Sequence, residues 1–183
     1  MEKNVHIVGR FYLKIVVGKT VQSIKDKLKN SWLYLLIILI CFFLDRMSKI
    51  VAIDFFLEQK IESYYFNSFL NFSLIWNKGM AFGILESDSY LYQILSFLTI
   101  CIIFFLFFWL IKSNNQFEKL SVSLIIGGAL GNFYDRIIFN AVPDFIDLHY
   151  KDFHWFVFNV SDIIITIGIL FLLLKDLVLK KNV

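Results

Sequence analysis

Four stretches of this chain, residues 32–53, 91–111, 120–138 and 157–179, are each about 20 residues long and predominantly apolar. At 1.5 Å of rise per residue, a helix of that length crosses a hydrocarbon layer of about 30 Å. Inside such a layer each backbone N–H and C=O must find its partner within the protein, which makes helices the expected form of all four runs. The composition agrees: 58% of the residues are hydrophobic, 22 are Phe and one is Pro. The fold class expected is therefore an all-α membrane protein with four transmembrane helices. The first run is followed by no small-residue cleavage site and holds Asp45, Arg46 and Lys49 in its second half, so it reads as a retained span. Residues 1–31 read as a basic cytoplasmic N-terminal tail, and 32–183 as one four-helix transmembrane domain.

Charge orients this arrangement. Four spans put both termini on one side, and that side holds twelve Lys/Arg against four acids, while the other holds six against eleven. Because Lys and Arg near span ends stay inside, both termini are expected in the cytoplasm. Cys41 and Cys101 lie within apolar runs, where they behave as small buried hydrophobes and form no disulfide framework.

The outer connections carry the polar chemistry. Residues 54–90 are rich in aromatic and β-favouring side chains, among them Tyr64, Tyr65, Phe66, Phe69, Phe72 and Trp76. They predict a small extracytoplasmic β-rich segment between helices 1 and 2. Asn77, Gly79 and Ala81 follow; Asn77 offers a donor and an acceptor to another backbone, and the small residues allow its close approach. In the first span Asp45 and Lys49 are four apart and can pair along one helix face. Ser48 and Lys49 are adjacent and face apart, which argues against a Ser–Lys nucleophile. In the third span Gly127 and Gly131 let a neighbouring helix approach. Asn132, Asp135 and Arg136 follow on one face, where an internally satisfied cluster is expected.

Pro143 fixes its own φ and pushes Val142 to extended geometry, so Asp144 is presented from a rigid non-helical segment. Asn159 and Asp162 lie three apart where the fourth run begins. Carboxylates cost roughly 2.5–3.5 kcal/mol each at the centre of a membrane helix, so several kept together at its rim point to use. An intramembrane aspartyl peptidase fits them. A proton-coupled transporter stays open on the residues alone, although the acids gather at one rim and no inverted repeat is present. A purely structural subunit, with the polar face as packing glue, is the third alternative. Asp147, His149 and His154 show no recognisable metal-ligand spacing, so no metal and no cofactor are expected.

Asp45…Lys49, Asn77-x-Gly79-x-Ala81-Phe82, the block from Gly127 to Arg136, Asp144-Phe145 and Phe158-Asn159-x-x-Asp162 occur in the order seen in one family. Over residues 32–179 the chain resembles the lipoprotein signal peptidases (signal peptidase II). The resemblance implies a bacterial inner-membrane aspartic endopeptidase with both termini in the cytoplasm and its site near the outer face. Its substrates would be diacylglyceryl-modified prolipoproteins, cut on the amino side of the lipidated cysteine, with membrane lipid as surroundings and no nucleic-acid partner. A monomer is expected. The implied catalytic pair is Asp144 and Asp162. Asn132, Asp135, Arg136 and Asn159 fall on supporting positions, with Asp45, Lys49, Asn77 and Gly79 further round the site. Arg46 stands where that family usually has glutamine, and Ser161 where it has alanine.

Overall fold

The computed structural model describes the backbone of residues 2–78, 89–151 and 153–179, and side chains over 31–78, 92–151 and 153–175. The chain divides into two compact units, Met1–Leu36 and Ile37–Val183. Helix α1, Glu2–Gln59, begins in the first unit and continues into the second. In the second unit it is followed by strands β1 (Ser63–Asn67) and β2 (Leu70–Asn77), helices α2 (Ser89–Lys112) and α3 (Gln116–Phe139), strands β3 (Val142–Tyr150) and β4 (Phe153–Phe158), and helix α4 (Val160–Leu179). The part of the 77–83 motif that includes Gly79 lies outside the described residues.

Among the described residues, four helices and strands between α1 and α2 match expectation, but the sheet is larger than the sequence suggested. Its order is β1-β2-β3-β4, antiparallel throughout, so residues 142–158, read from the sequence as a non-helical outer connection up to 156 and as the opening of the fourth span beyond it, supply half of it. The all-α label is corrected accordingly. Val142 and Pro143 open β3 opposite Asn77 and Trp76. Pro143 thus sits at the beginning of a strand, a position that tolerates its missing N–H.

Helix α3 is the centre of the bundle, packed against α2 and α4 and touching β3. Its start is fixed by Asn115, whose side chain accepts the Glu118 N–H at 3.0 Å. Its end is fixed by Asn140, left-handed at φ 53°, whose N–H reaches the Arg136 carbonyl at 3.2 Å. Close helix approach depends on glycine here. A Cβ on Gly127 would stand 2.5 Å from Cys41 Cβ, and one on Gly128 would stand 2.8 Å from the Ser161 carbonyl oxygen. The core is built from Ile38, Leu106, Val122, Ile125 and Ile126. Near the start of α3, Glu118 accepts hydrogen bonds from Trp109, Ser113 and Lys175, which ties α2, α3 and α4 together.

The outside of the bundle is apolar. Residues Tyr92–Lys112, with mean hydropathy 2.9, and Gln116–Phe139, with 1.2, are long and apolar enough to cross a membrane. Phe97, Phe104, Phe105, Phe108 and Ile111 are exposed on α2, as are Ile167, Leu170, Leu173 and Leu174 on α4. A surface of this kind is stable against lipid and would aggregate in water.

Candidate active site

Two polar constellations meet at the end of α3 that faces the sheet. The first is an ion cluster. Lys49 is wholly buried and spends its three donors on Asp45 Oδ2 at 2.8 Å, Asn132 Oδ1 at 2.8 Å and Asp135 Oδ2 at 2.7 Å. Arg46 adds contacts to Asp45 at 3.1 Å and to Asp135 at 2.5 Å. Two carboxylates are thereby matched by two cations, the condition under which buried charge is tolerable. Asp45 Oδ1 also accepts the Ser161 N–H at 2.9 Å, which pins α1 to the start of α4. Gly131 faces this junction, and a Cβ there would lie 2.5 Å from Ser161 Oγ.

The partner of Asp135 differs from the one expected. Arg136, its neighbour in sequence, forms no ion pair among the described residues, whereas Arg46 and Lys49 reach Asp135 from α1. The physical reason is helical geometry: adjacent residues diverge by about 100°, so Asp135 points into the bundle while Arg136 is half-buried beside it. The Arg136 carbonyl accepts bonds from Tyr92 Oη and the Asn140 N–H. Arg46, which sequence reasoning left out of the site, is the cation that replaces it. Its i,i+3 spacing to Lys49 was the available signal.

The second constellation holds Asp144 and Asp162. Asp144, on β3 and 3% exposed, accepts Asn77 Nδ2 at 2.9 Å and Asn159 Nδ2 at 2.6 Å. Asp162, in the first turn of α4, accepts Asn132 Nδ2 at 2.8 Å and the Asn159 N–H at 3.2 Å. The Asn159 side chain in turn accepts the Asp162 N–H at 3.1 Å. Asn159 and Asp162 thus form a reciprocal capping box at the start of α4. Through its other amide atom, Asn159 also holds Asp144. Neither carboxylate has a salt-bridge partner among the described residues; both are held by amide donors. Asn132 links the two constellations, since it accepts from Lys49 and donates to Asp162.

Burial pushes Asp144 up from 3.8 to about 6, the hydrogen bonds from Asn159 and Asn77 pull it down, and the negative charge of Asp162 raises it again. A buried carboxyl beside a second one keeps its proton toward neutrality. Two such groups can share one proton, the arrangement used to activate water and polarise a carbonyl.

Of the residues named from sequence, Asp45, Lys49, Asn77, Asn132, Asp135, Asp144, Asn159 and Asp162 come together. Arg136 stands at the margin, and Gly79 lies outside the described residues. Asp147, His149 and His154, which lack ligand spacing along the chain, are also brought together, by the pairing of β3 with β4.

An apolar helix bundle with paired carboxylates at one rim is the framework of a membrane-embedded aspartic peptidase. Residues 37–178 match the family model for Signal peptidase (SPase) II. A lipoprotein signal peptidase of Pelagibacter ubique (strain HTCC1062) is 47% identical over 154 residues, covering 84% of this chain and 92% of the relative. One from Aquifex aeolicus (strain VF5) is 39% identical over 149 residues, covering 80% and 87%. A bacterial membrane enzyme solved by the in meso method superposes with a TM-score of 0.67 at 29% identity, over 81% of this chain and 90% of that one. The chain belongs to the signal peptidase II family of aspartic endopeptidases.

Proposed function

We propose that Asp144 and Asp162 are the catalytic pair of an endopeptidase that removes the signal peptide from diacylglyceryl-modified prolipoproteins. The observation that carries this is the Asn159 bridge. One amide caps the helix bearing Asp162 and donates to Asp144, so it fixes both carboxylates without neutralising either. Asp45 and Asp135 are committed to Lys49 and Arg46 in the ion cluster that ties α1 to α3. One carboxyl of the pair carries the shared proton and polarises the scissile carbonyl, and the other takes a proton from the attacking water. The tetrahedral intermediate then collapses as the leaving amine is protonated, which frees the lipidated cysteine as the new N-terminus.

A lipid-anchored substrate suits the place of the site. The acyl chains of the diacylglyceryl group stay in the bilayer against apolar helix faces, and the peptide enters at the rim between the bundle and the sheet. In this reading α1, α2, α3 and α4 all span a bacterial cytoplasmic membrane, and the sheet lies on its outer face. The exposed apolar faces of the helices and the excess of Lys and Arg near one set of span ends support that placement. The reading is tested by incubating purified protein with a diacylglyceryl-modified prolipoprotein and an unlipidated control. Cleavage of the first and sparing of the second is expected; equal cleavage of both would refute the lipid requirement.

A further inference from the structure

The hairpin β3–β4 brings together three potential metal ligands that the proteolytic reading does not use. Asp147 and His149 are two apart on β3 and share a face, because side chains alternate along a strand. His154 is the direct partner of His149 across the pair. The register slips between Asp147 and His149: Asp147 pairs with Val157 and His149 with His154, so β4 carries one extra residue there. A bulge of this kind re-aims side chains. One ligand atom from each of Asp147, His149 and His154 lies within 4.8 Å of the other two. His154 Nδ1 faces Asp147 Oδ2 at 2.9 Å and Oδ1 at 3.1 Å, and the two imidazoles stack with centroids 5.2 Å apart.

A second observation points to a ligand. His149 Nδ1 is buried and has no hydrogen-bond partner. A buried ring nitrogen left unpaired is unfavourable, and a bound cation on the imidazole would relieve it. Asp147 is 4% exposed and supplies a carboxylate ligand, while the His154 side chain is half-exposed and leaves a path from solvent. His149 also lines an apolar hollow with Phe153, Trp155 and Phe158.

We propose that Asp147, His149 and His154 form a binding site for a divalent transition-metal ion of the zinc class, which clips β3 to β4. Two imidazoles and one carboxylate suit Zn²⁺ or Co²⁺; Mg²⁺ and Ca²⁺ prefer all-oxygen shells. Three protein ligands leave a fourth position for water. The site is separate from the proposed catalytic pair, although β3 carries both Asp144 and Asp147. Its test therefore does not depend on proteolysis.

The measurement is Zn²⁺ binding to full-length, untagged protein in detergent, in a Cys101→Ser, His6→Ala background that removes the exposed thiol and the one other histidine. Competition with a chromogenic chelator gives the stoichiometry, and Co²⁺ substitution gives a ligand-field spectrum. One equivalent of Zn²⁺ per chain is expected, with a rise in Tm that Mg²⁺ does not reproduce. His154→Ala and His149→Ala should each weaken binding at least tenfold and abolish the Co²⁺ spectrum, while circular dichroism shows the helices intact. Because His154 is half-exposed, its variant separates loss of binding from loss of folding. Absence of one-equivalent binding in the parent protein would overturn the proposal. So would binding that survives in both histidine variants.

Discussion

Asn159 joins the two carboxylates of the candidate site, because its carbonyl end caps α4, which bears Asp162, and its amide end holds Asp144. Asn159→Ala should cost about 1 kcal/mol through the lost cap. It should lower kcat roughly a hundredfold through the misplaced carboxyl, which a comparison of thermal unfolding with proteolytic rate would separate. Asp135→Asn should behave in the opposite way. It leaves Lys49 and Arg46 undermatched in a buried setting, so it should destabilise by about 3 kcal/mol, seen as a lower Tm, while keeping measurable cleavage. Asp144 also predicts a pH dependence. The folded carboxyl keeps its proton up to about 6, whereas the unfolded one releases it near 3.8. The native state therefore binds more protons across that interval, and stability falls as pH rises through it, by about 3 kcal/mol in all. Thermal unfolding at about pH 4 and about pH 8 should show this loss in the wild type, with the Asp144 contribution absent from Asp144→Asn.

Among the elements, the helices were legible and half of the sheet was not. Hydropathy runs of about 20 residues locate α2 and α3 to within a few positions, because a membrane helix has to be apolar along its length. The β1–β2 hairpin was legible from its aromatic residues. The β3–β4 hairpin was hidden by Asp144, Asp147, His149 and His154, which look like loop polarity, and Trp155 and Phe156 read equally well as an interfacial belt. Those polar residues are in the strand because two of its faces are used, one toward Asn77 and Asn159 and one toward the His–Asp cluster. The pairing of Asp135 with Arg46 was illegible for a different reason, since it depends on the rotation of α1 against α3. Glycine sets how closely the helices meet. Gly128→Ala should cost about 1–3 kcal/mol, because its Cβ meets the Ser161 carbonyl oxygen, an atom fixed in the backbone. Ile137→Ala, on an exposed part of the same helix, should leave Tm nearly unchanged in detergent.

For the whole molecule, the proposed orientation places the start of α3 inside and the sheet outside. A cysteine at Lys112 should be labelled only from the cytoplasm and one at Lys151 only from the outer side, in a background free of Cys41 and Cys101. The reversed pattern would put the carboxylate pair on the wrong face for a secreted precursor. Deletion of residues 2–25 should leave cleavage largely intact, since no site residue lies there; loss of activity in an inserted, folded truncation would give that segment a part in substrate binding. The central claim is that Asp144 and Asp162 act as one pair, and it is tested most directly by single-turnover cleavage of a diacylglyceryl-modified prolipoprotein by Asp144→Asn and Asp162→Asn, each checked for native helix content and cooperative unfolding. Both folded variants should release no signal peptide while Asp135→Asn still does so. Cleavage by either variant at the wild-type rate would contradict the assignment.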